Sequence, residues 1–461
     1  MRSIVYLFVT ALISFTCITL RAQTSRALFS PAELKEDLNY LRHLVSTVHV
    51  NPYSELTPAQ YDSLFNNIAA SLEDTATATA LLKKIRPVMA RLSDEHAQLN
   101  LKSALLDSAY RNAPVYLPFM LKKKGNTYCI DRCLGNAPAG YSGWEIRSIN
   151  GVPVDELVSL CALATIGYPD QRTETALHQF GYLYPWAAGT LTTVFNITST
   201  TGKIITVPGI FLKDWEAFFA TQAVPACAER LSYTRYGDTG YINACSFDVK
   251  AEGRYSRDSI RAVIDGIFKQ VKADGITQLI IDVSRNEGGS TAVGDYLISS
   301  IYHKPYLSYQ TNWKRSDEYL NLLRSWGFDN APYAAAPVGK VLHFASERIS
   351  PEPVPYPYNG KTVIVIGPAT FSSAMNFATL IRDNHIATLA GQTPVNGHPT
   401  SFGEMFYTTL PHTQLFVRFG VKEHIRPSGR VADNYLRPDI RLTDQQMSDI
   451  HEMIRHIIAV K

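Results

Sequence analysis

Ser372 and Ser373 stand where an apolar strand gives way to an amphipathic helix, and Gly288 and Gly289 stand at a second junction of the same kind. The first junction follows the apolar run Thr362–Gly367, which ends at Gly367-Pro368, a pair that stops strands. From Ala374 onward, Ala374, Phe377, Ala378 and Ile381 recur at helical spacing. A hydroxyl at such a junction projects clear of the sheet, and the free N–H groups of the helix start can stabilise an oxyanion. The plainer alternative is a serine that only caps its helix.

The second junction lies in Gln278–Ser290, an apolar strand followed by Asn286-Glu287-Gly288-Gly289 and then a helix. Two glycines let backbone N–H groups face a ligand with no Cβ in the way. Alone they could form no more than a tight turn. Together the two junctions supply a nucleophile and two sources of oxyanion donors, which is what acyl transfer requires.

These junctions need elements to hold them. From residue 240 onward strands and helices alternate: strand Tyr241–Phe247, a helix from about Ser259 to Lys272, strand Leu279–Val283, helix Thr291–Ile301, then the strand, turn and helix around Ser372 and a last strand Ala387–Ala390. That order predicts a βαβ-type layered α/β core. Residues 302–360, rich in Tyr and Pro, interrupt it as an insertion. Residues 30–98 read as helices, opened by the capping pattern Ser30-Pro31-Ala32-Glu33 and again by Thr57-Pro58-Ala59-Gln60. A third helix from about Thr77 to Leu92 delivers Asp94-Glu95-His96 to a turn. Residues 115–210 change to short strands with Gly and Asn turns.

The run from Tyr241 to the end resembles the catalytic domain of the carboxyl-terminal-processing (tail-specific) and tricorn-core serine peptidases. Their typical Asp-Leu-Arg-x-Asn-x-Gly-Gly corresponds to Asp282-Val283-Ser284-Arg285-Asn286-Glu287-Gly288-Gly289, with the arginine displaced by one place. Their Ser-Ala helix start matches Ser372 to Ala378, and their glycine-acid-x-threonine strand end becomes Gly391-Gln392-Thr393. The stretch Ala137–Ile146, with Ser148-Ile149-Asn150-Gly151, is similar to the centre of a PDZ domain, a fold that binds extended peptides on a sheet edge. Its usual Gly-rich carboxylate-binding loop is replaced by Leu117-Pro118-Phe119-Met120.

The resemblance implies a crotonase-like peptidase core, an N-terminal helical region and a PDZ-like β-rich domain, with boundaries at 23–110, 111–212 and 213–461. It makes Ser372 the nucleophile and gives the oxyanion hole to the N–H groups of Ser373 and of Gly288 or Gly289. Tail-specific members activate their serine with a lysine soon after the threonine strand end, but here no lysine follows Thr393 until Lys422. The tricorn-core branch uses a histidine upstream of the PDZ-like domain, and Leu92-Ser93-Asp94-Glu95-His96 stands in that place. His96 is then the base, with His398 and His424 as rivals. Asp433, in Ala432-Asp433-Asn434-Tyr435-Leu436-Arg437-Pro438-Asp439, takes the position of the orienting acid, with Ser93 or Asp94 supporting the histidine. The activity implied is hydrolysis of peptide bonds in a peptide or unfolded protein. A non-catalytic binder of peptides or hydrophobic ligands on the same fold is the alternative, because the lysine is missing and Gln392 replaces an acid.

Composition narrows the field. The chain has 461 residues, long enough for two or three cores. A formal net charge of +3 and the lack of a basic run with interleaved aromatics exclude a nucleic-acid partner. Arg2, the apolar stretch Ile4–Leu20 and Arg21-Ala22-Gln23 read as a secretory signal over residues 1–22. Such a leader predicts a soluble protein exported to the periplasm or the extracellular space. Five cysteines then remain, an odd number that leaves at least one unpaired or bonded outside the chain. No Cys/His cluster has zinc-ligand spacing, so no metal and no cofactor is expected.

Overall fold

The computed structural model describes residues 28–135, 139–189, 191–222, 227–249, 256–395 and 397–460. The leader expected at 1–22 lies outside them.

A six-stranded sheet carries both junctions. Its strands run in the order Ile440–Arg441, Thr388–Gly391, Lys361–Ile366, Gln278–Asp282, Thr239–Ala244 and Leu231–Tyr236. The first five are parallel and the last is antiparallel. Side chains alternate with the pleat, as strand geometry demands. Ile281, Ile364 and Ile366 face the helices Arg257–Ala273, Thr291–Ile301 and Ser373–Asp383. Ile280, Val363 and Val365 face the other way, onto Met453, Ile454 and Ile457 of the C-terminal helix Ile450–Ala459. Both faces are covered, which explains why these strands read as continuous apolar runs. Gln278–Asp282 and Lys361–Ile366 are direct neighbours, with Asp282 level with Val365. Their outgoing loops therefore emerge side by side at the carboxyl end of the sheet, where open α/β sheets bind ligands.

The N-terminal helices are Pro31–Thr47, Pro58–Ala70 and Ala78–Ala90. Ser30 with Glu33 and Thr57 with Gln60 form complete capping boxes, and Thr77 caps the third helix. Each cap contributes about 1 kcal/mol. These helices do not form a bundle of their own. Leu38, Leu41 and Ile85 share one core with Phe406, Val417, Phe419 and Val421 of the long hairpin Ser401–Thr409 and Phe416–Ile425. That hairpin belongs to a five-stranded sheet with Gln98–Asn100, Gln310–Lys314 and Val341–Phe344. The segment read as an insertion, 302–360, thus contributes two strands, Gln310–Lys314 and Val341–Phe344, to this sheet.

A third sheet has Phe119–Lys124, Thr127–Cys133, Glu145–Ile149, Val194–Ser199 and Ile204–Pro208 in that order, with Val152–Pro153 added beside Glu145–Ile149. Helices Val154–Ala162, Pro169–His178 and Phe180–Ala187 pack on it. A disulfide joins Cys227 to Cys245, at the end of strand Thr239–Ala244. Among the described residues no helix is long and apolar enough to cross a membrane, and no group of His, Cys, Asp and Glu could hold a metal ion.

Candidate active site

Ser372 sits at the turn into its helix with φ 52° and ψ −125°, a conformation that costs a non-glycine residue free energy. Its hydroxyl caps nothing. It lies 3.2 Å from Nε2 of His96, a residue 276 positions away. The loop is pinned from behind. Thr370, fully buried, donates its hydroxyl to the Val283 carbonyl at 2.8 Å and accepts the Gly367 N–H at 3.0 Å. The Phe371 N–H donates to the Asn286 carbonyl at 3.0 Å, so the serine loop is fastened directly to the glycine loop.

Asn286 organises that second loop. Its side chain donates to the Ala244 carbonyl at 2.7 Å and accepts the Gly288 N–H at 2.8 Å. The Gly288 N–H is therefore not available as an oxyanion donor, contrary to one of the two options read from the sequence. The Gly289 N–H has no hydrogen-bond partner among the described residues, and the Ser373 N–H, in the first turn of its helix, needs none within the helix. Both positions must be glycine for steric reasons. A Cβ on Gly288 (φ +109°) would stand 2.8 Å from Ser372 Cβ and 3.2 Å from Ser373 N. One on Gly289 would stand 2.3 Å from the Phe247 carbonyl carbon.

His96 is held by the turn Asp94–Ala97, closed by Ala97 N–H to the Asp94 carbonyl at 3.1 Å. Asp94 is fully buried. Its carboxylate accepts the His96 N–H at 2.8 Å and the Gly420 N–H at 2.6 Å, and it lies 3.5 Å from His49 Nε2. Burial pushes the Asp94 carboxyl up, but His49, His96 and the Gly420 N–H together hold it below the usual carboxylate range. Arg418 donates Nε to the His96 carbonyl at 3.1 Å. Strand Gln98–Asn100 follows at once and pairs with Phe416–Ile425, Gln98 opposite Arg418. That pairing carries the histidine across the molecule. The imidazole stacks on Phe371, with ring centres 4.5 Å apart and planes at 25°. Burial lowers its pKa below the ordinary histidine value; the Asp94 charge opposes the shift and Arg418 adds to it.

The expected third member is elsewhere. Asp433 is exposed and its carboxylate is engaged by Arg437, 2.9 Å from Nε and 3.2 Å from Nη2. Its short side chain four residues before an arginine takes the nearest cation rather than reaching into the site. His96 Nδ1 is buried with no hydrogen-bond partner among the described residues. Of the proposed supports, Asp94 touches the His96 backbone, whereas Ser93 donates to Glu55, which Arg172 clasps at 2.7 and 2.9 Å. Neither rival histidine is hydrogen-bonded to Ser372. His398 lies between Tyr168 and Tyr435 with Nε2 3.6 Å from Asp170, and His424 is half-buried beside Thr311.

Phe371 and Glu95 were not singled out from the sequence, although each flanks a residue that was. Glu95 accepts the His398 N–H at 3.2 Å, and its second oxygen is buried without a partner. Burial and the neighbouring Asp94 push its carboxyl well above the usual range. Glu95 and Phe371 line a cleft of about 910 Å³ that also touches Arg86, Gln98, Glu287 and Arg418. A strained serine with an imidazole at hydrogen-bond distance, two backbone donors beside it and a cleft alongside can carry out nucleophilic attack on a carbonyl.

Residues 238–442 match the family model described as Peptidase family S41, which bears out the resemblance to serine peptidases read from the sequence. No curated protein matches the chain. Among solved structures, mature CPAF is similar with a TM-score of 0.56 at 14% identity, over 93% of this chain and 98% of that one. Mature CPAF complexed with lactacystin gives the same TM-score, identity and coverage. At that identity the likeness is one of fold.

Proposed function

We propose, on the premise that residues 238–442 are a peptidase domain of family S41, that this serine-type peptidase is an exported endopeptidase working through Ser372 and His96. The observation that carries the reading is the 3.2 Å contact between Ser372 Oγ and His96 Nε2. Ser372 attacks the scissile carbonyl while His96 takes its proton, and the imidazolium then protonates the leaving amine. The negative charge that develops on the carbonyl oxygen is met by the Ser373 and Gly289 N–H groups. The ring is oriented by the Phe371 stack and by its turn, in place of Asp433. Water enters for deacylation by the same base.

The parallel sheet with its two adjoining loops supports a crotonase-like core, and the central sheet with helix Val154–Ala162 supports a PDZ-like domain. In that domain the Leu117 end is already occupied. Leu117 donates its N–H to the Gly181 carbonyl at 3.1 Å and accepts Trp215 Nε1 at 3.0 Å. A substrate is thus not added as a strand there, and the domain serves as a wall of the cleft. The leader sequence and the Cys227–Cys245 disulfide support export to the periplasm or beyond. The substrate is a peptide or unfolded protein, with no cofactor. The test is a fluorophosphonate probe with a parallel peptide-hydrolysis assay. Wild type labels and cleaves; Ser372→Ala does neither, with the rate down by about 10⁴-fold or more. Equal labelling of the two sinks the reading and favours a binding protein.

A further inference from the structure

Two guanidinium groups line the cleft beside the Ser372 loop. Arg86, on helix Ala78–Ala90, lies over the Trp186 ring at 4.1 Å and donates Nη1 to the Ala164 carbonyl at 3.4 Å. Arg418, on strand Phe416–Ile425, uses Nε on the His96 carbonyl. Both are only partly exposed, both line the cleft, and neither is ion-paired with a carboxylate among the described residues. Burial lowers the pKa of each, and the charge of Asp94 opposes the shift at Arg418. Asp94 spends its carboxylate on the His96 and Gly420 N–H groups and makes no ion pair with either arginine. Burial and Asp94 push the Glu95 carboxyl toward its uncharged form, and Glu287 is exposed on the rim. A half-buried guanidinium without a partner is costly, and a carboxylate that reaches it makes charge-assisted, often bidentate hydrogen bonds.

We infer that this cleft selects substrates with an acidic side chain near the scissile bond, whose carboxylate Arg86 and Arg418 hold. The inference rests on the peptidase reading for its substrate, but it concerns binding and can be read without turnover. Arg418 bridges the two functions, since the guanidinium offered to the substrate also grips the backbone of His96.

The test uses C-terminally amidated fluorescent peptides that differ by one Glu or Gln, scanned through the positions around the cleaved bond. Their binding to the full-length Ser372→Ala protein is followed by anisotropy. At one or two positions Glu binds about tenfold tighter than Gln. In Ser372→Ala with Arg86→Gln the ratio falls below about twofold, and with Arg86→Lys most of it returns. Retained affinity for the Gln peptide shows that the Arg86→Gln protein is folded. Equal affinity of Glu and Gln peptides at every position overturns the inference. So does a preference that survives both Arg86→Gln and Arg418→Gln, or one that appears only with a free C-terminal carboxylate. Turnover of the same peptides by wild type keeps the two readings apart. Glu peptides that bind selectively but are never cleaved remove the peptidase reading and leave the carboxylate site standing. Peptides cleaved and bound without regard to Glu do the reverse.

Discussion

The imidazole of His96 has no carboxylate on Nδ1, so its basicity is set by burial, with Asp94 opposing and Arg418 adding to the shift. Its pKa is lowered, which means the neutral form persists into mild acid. The acid limb of kcat/KM should therefore fall below the ordinary histidine value of about 6.5; a limb at or above 7 contradicts the burial argument. Asp433→Asn should change kcat by less than about twofold, because that carboxylate is exposed and paired with Arg437. A loss of tenfold or more in steady-state assays would show that Asp433 reaches the ring during turnover. Phe371→Leu should cost about tenfold in kcat at unchanged fold, since it removes the flat surface that fixes the ring plane. The serine was legible from the strand, the Gly-Pro stop and the helix period. The histidine was legible only through the family resemblance, since nothing local distinguishes one of twelve histidines. The acid was misplaced because a motif position does not say where a side chain points, and Arg437 lies within reach of Asp433.

At the scale of elements, two neighbouring parallel strands deliver two loops to one place, and buried polar side chains lock the loops together. Gly288→Ala drives a methyl against Ser372 and Ser373 at a backbone angle suited to glycine. It should lower kcat by about 100-fold while leaving the circular dichroism spectrum intact. Thr370→Val removes the hydroxyl that serves Gly367 and Val283. A loss of about 1–3 kcal/mol is expected in denaturant melts, and a shift indistinguishable from zero would mean that the loop has other anchors. The helices Thr291–Ile301 and Ser373–Asp383 and the capped N-terminal helices lie where spacing and caps put them. The hairpin Ser401–Thr409 and Phe416–Ile425 was not anticipated, because its residues alternate too loosely, with buried Gly420 and Glu423 among the apolar positions.

The whole molecule does not divide where its sequence changes character. The N-terminal helices complete the core of a hairpin three hundred residues later, so residues 213–461 alone should express as an aggregated, inactive polypeptide. Recovery of a soluble, cooperatively melting protein from those residues would refute the shared core. Composition could not reveal this arrangement, because pairing such as Gln98 with Arg418 leaves no periodic trace in either segment. The same pairing has a consequence for the life of the chain. A ribosome making the protein releases His96 well before Ser372, and the strand that pairs with Gln98–Asn100, Phe416–Ile425, follows both. A chain that stops short of that strand cannot hold the two residues in register, so the activity proposed for them waits until residues 416–425 have emerged and paired.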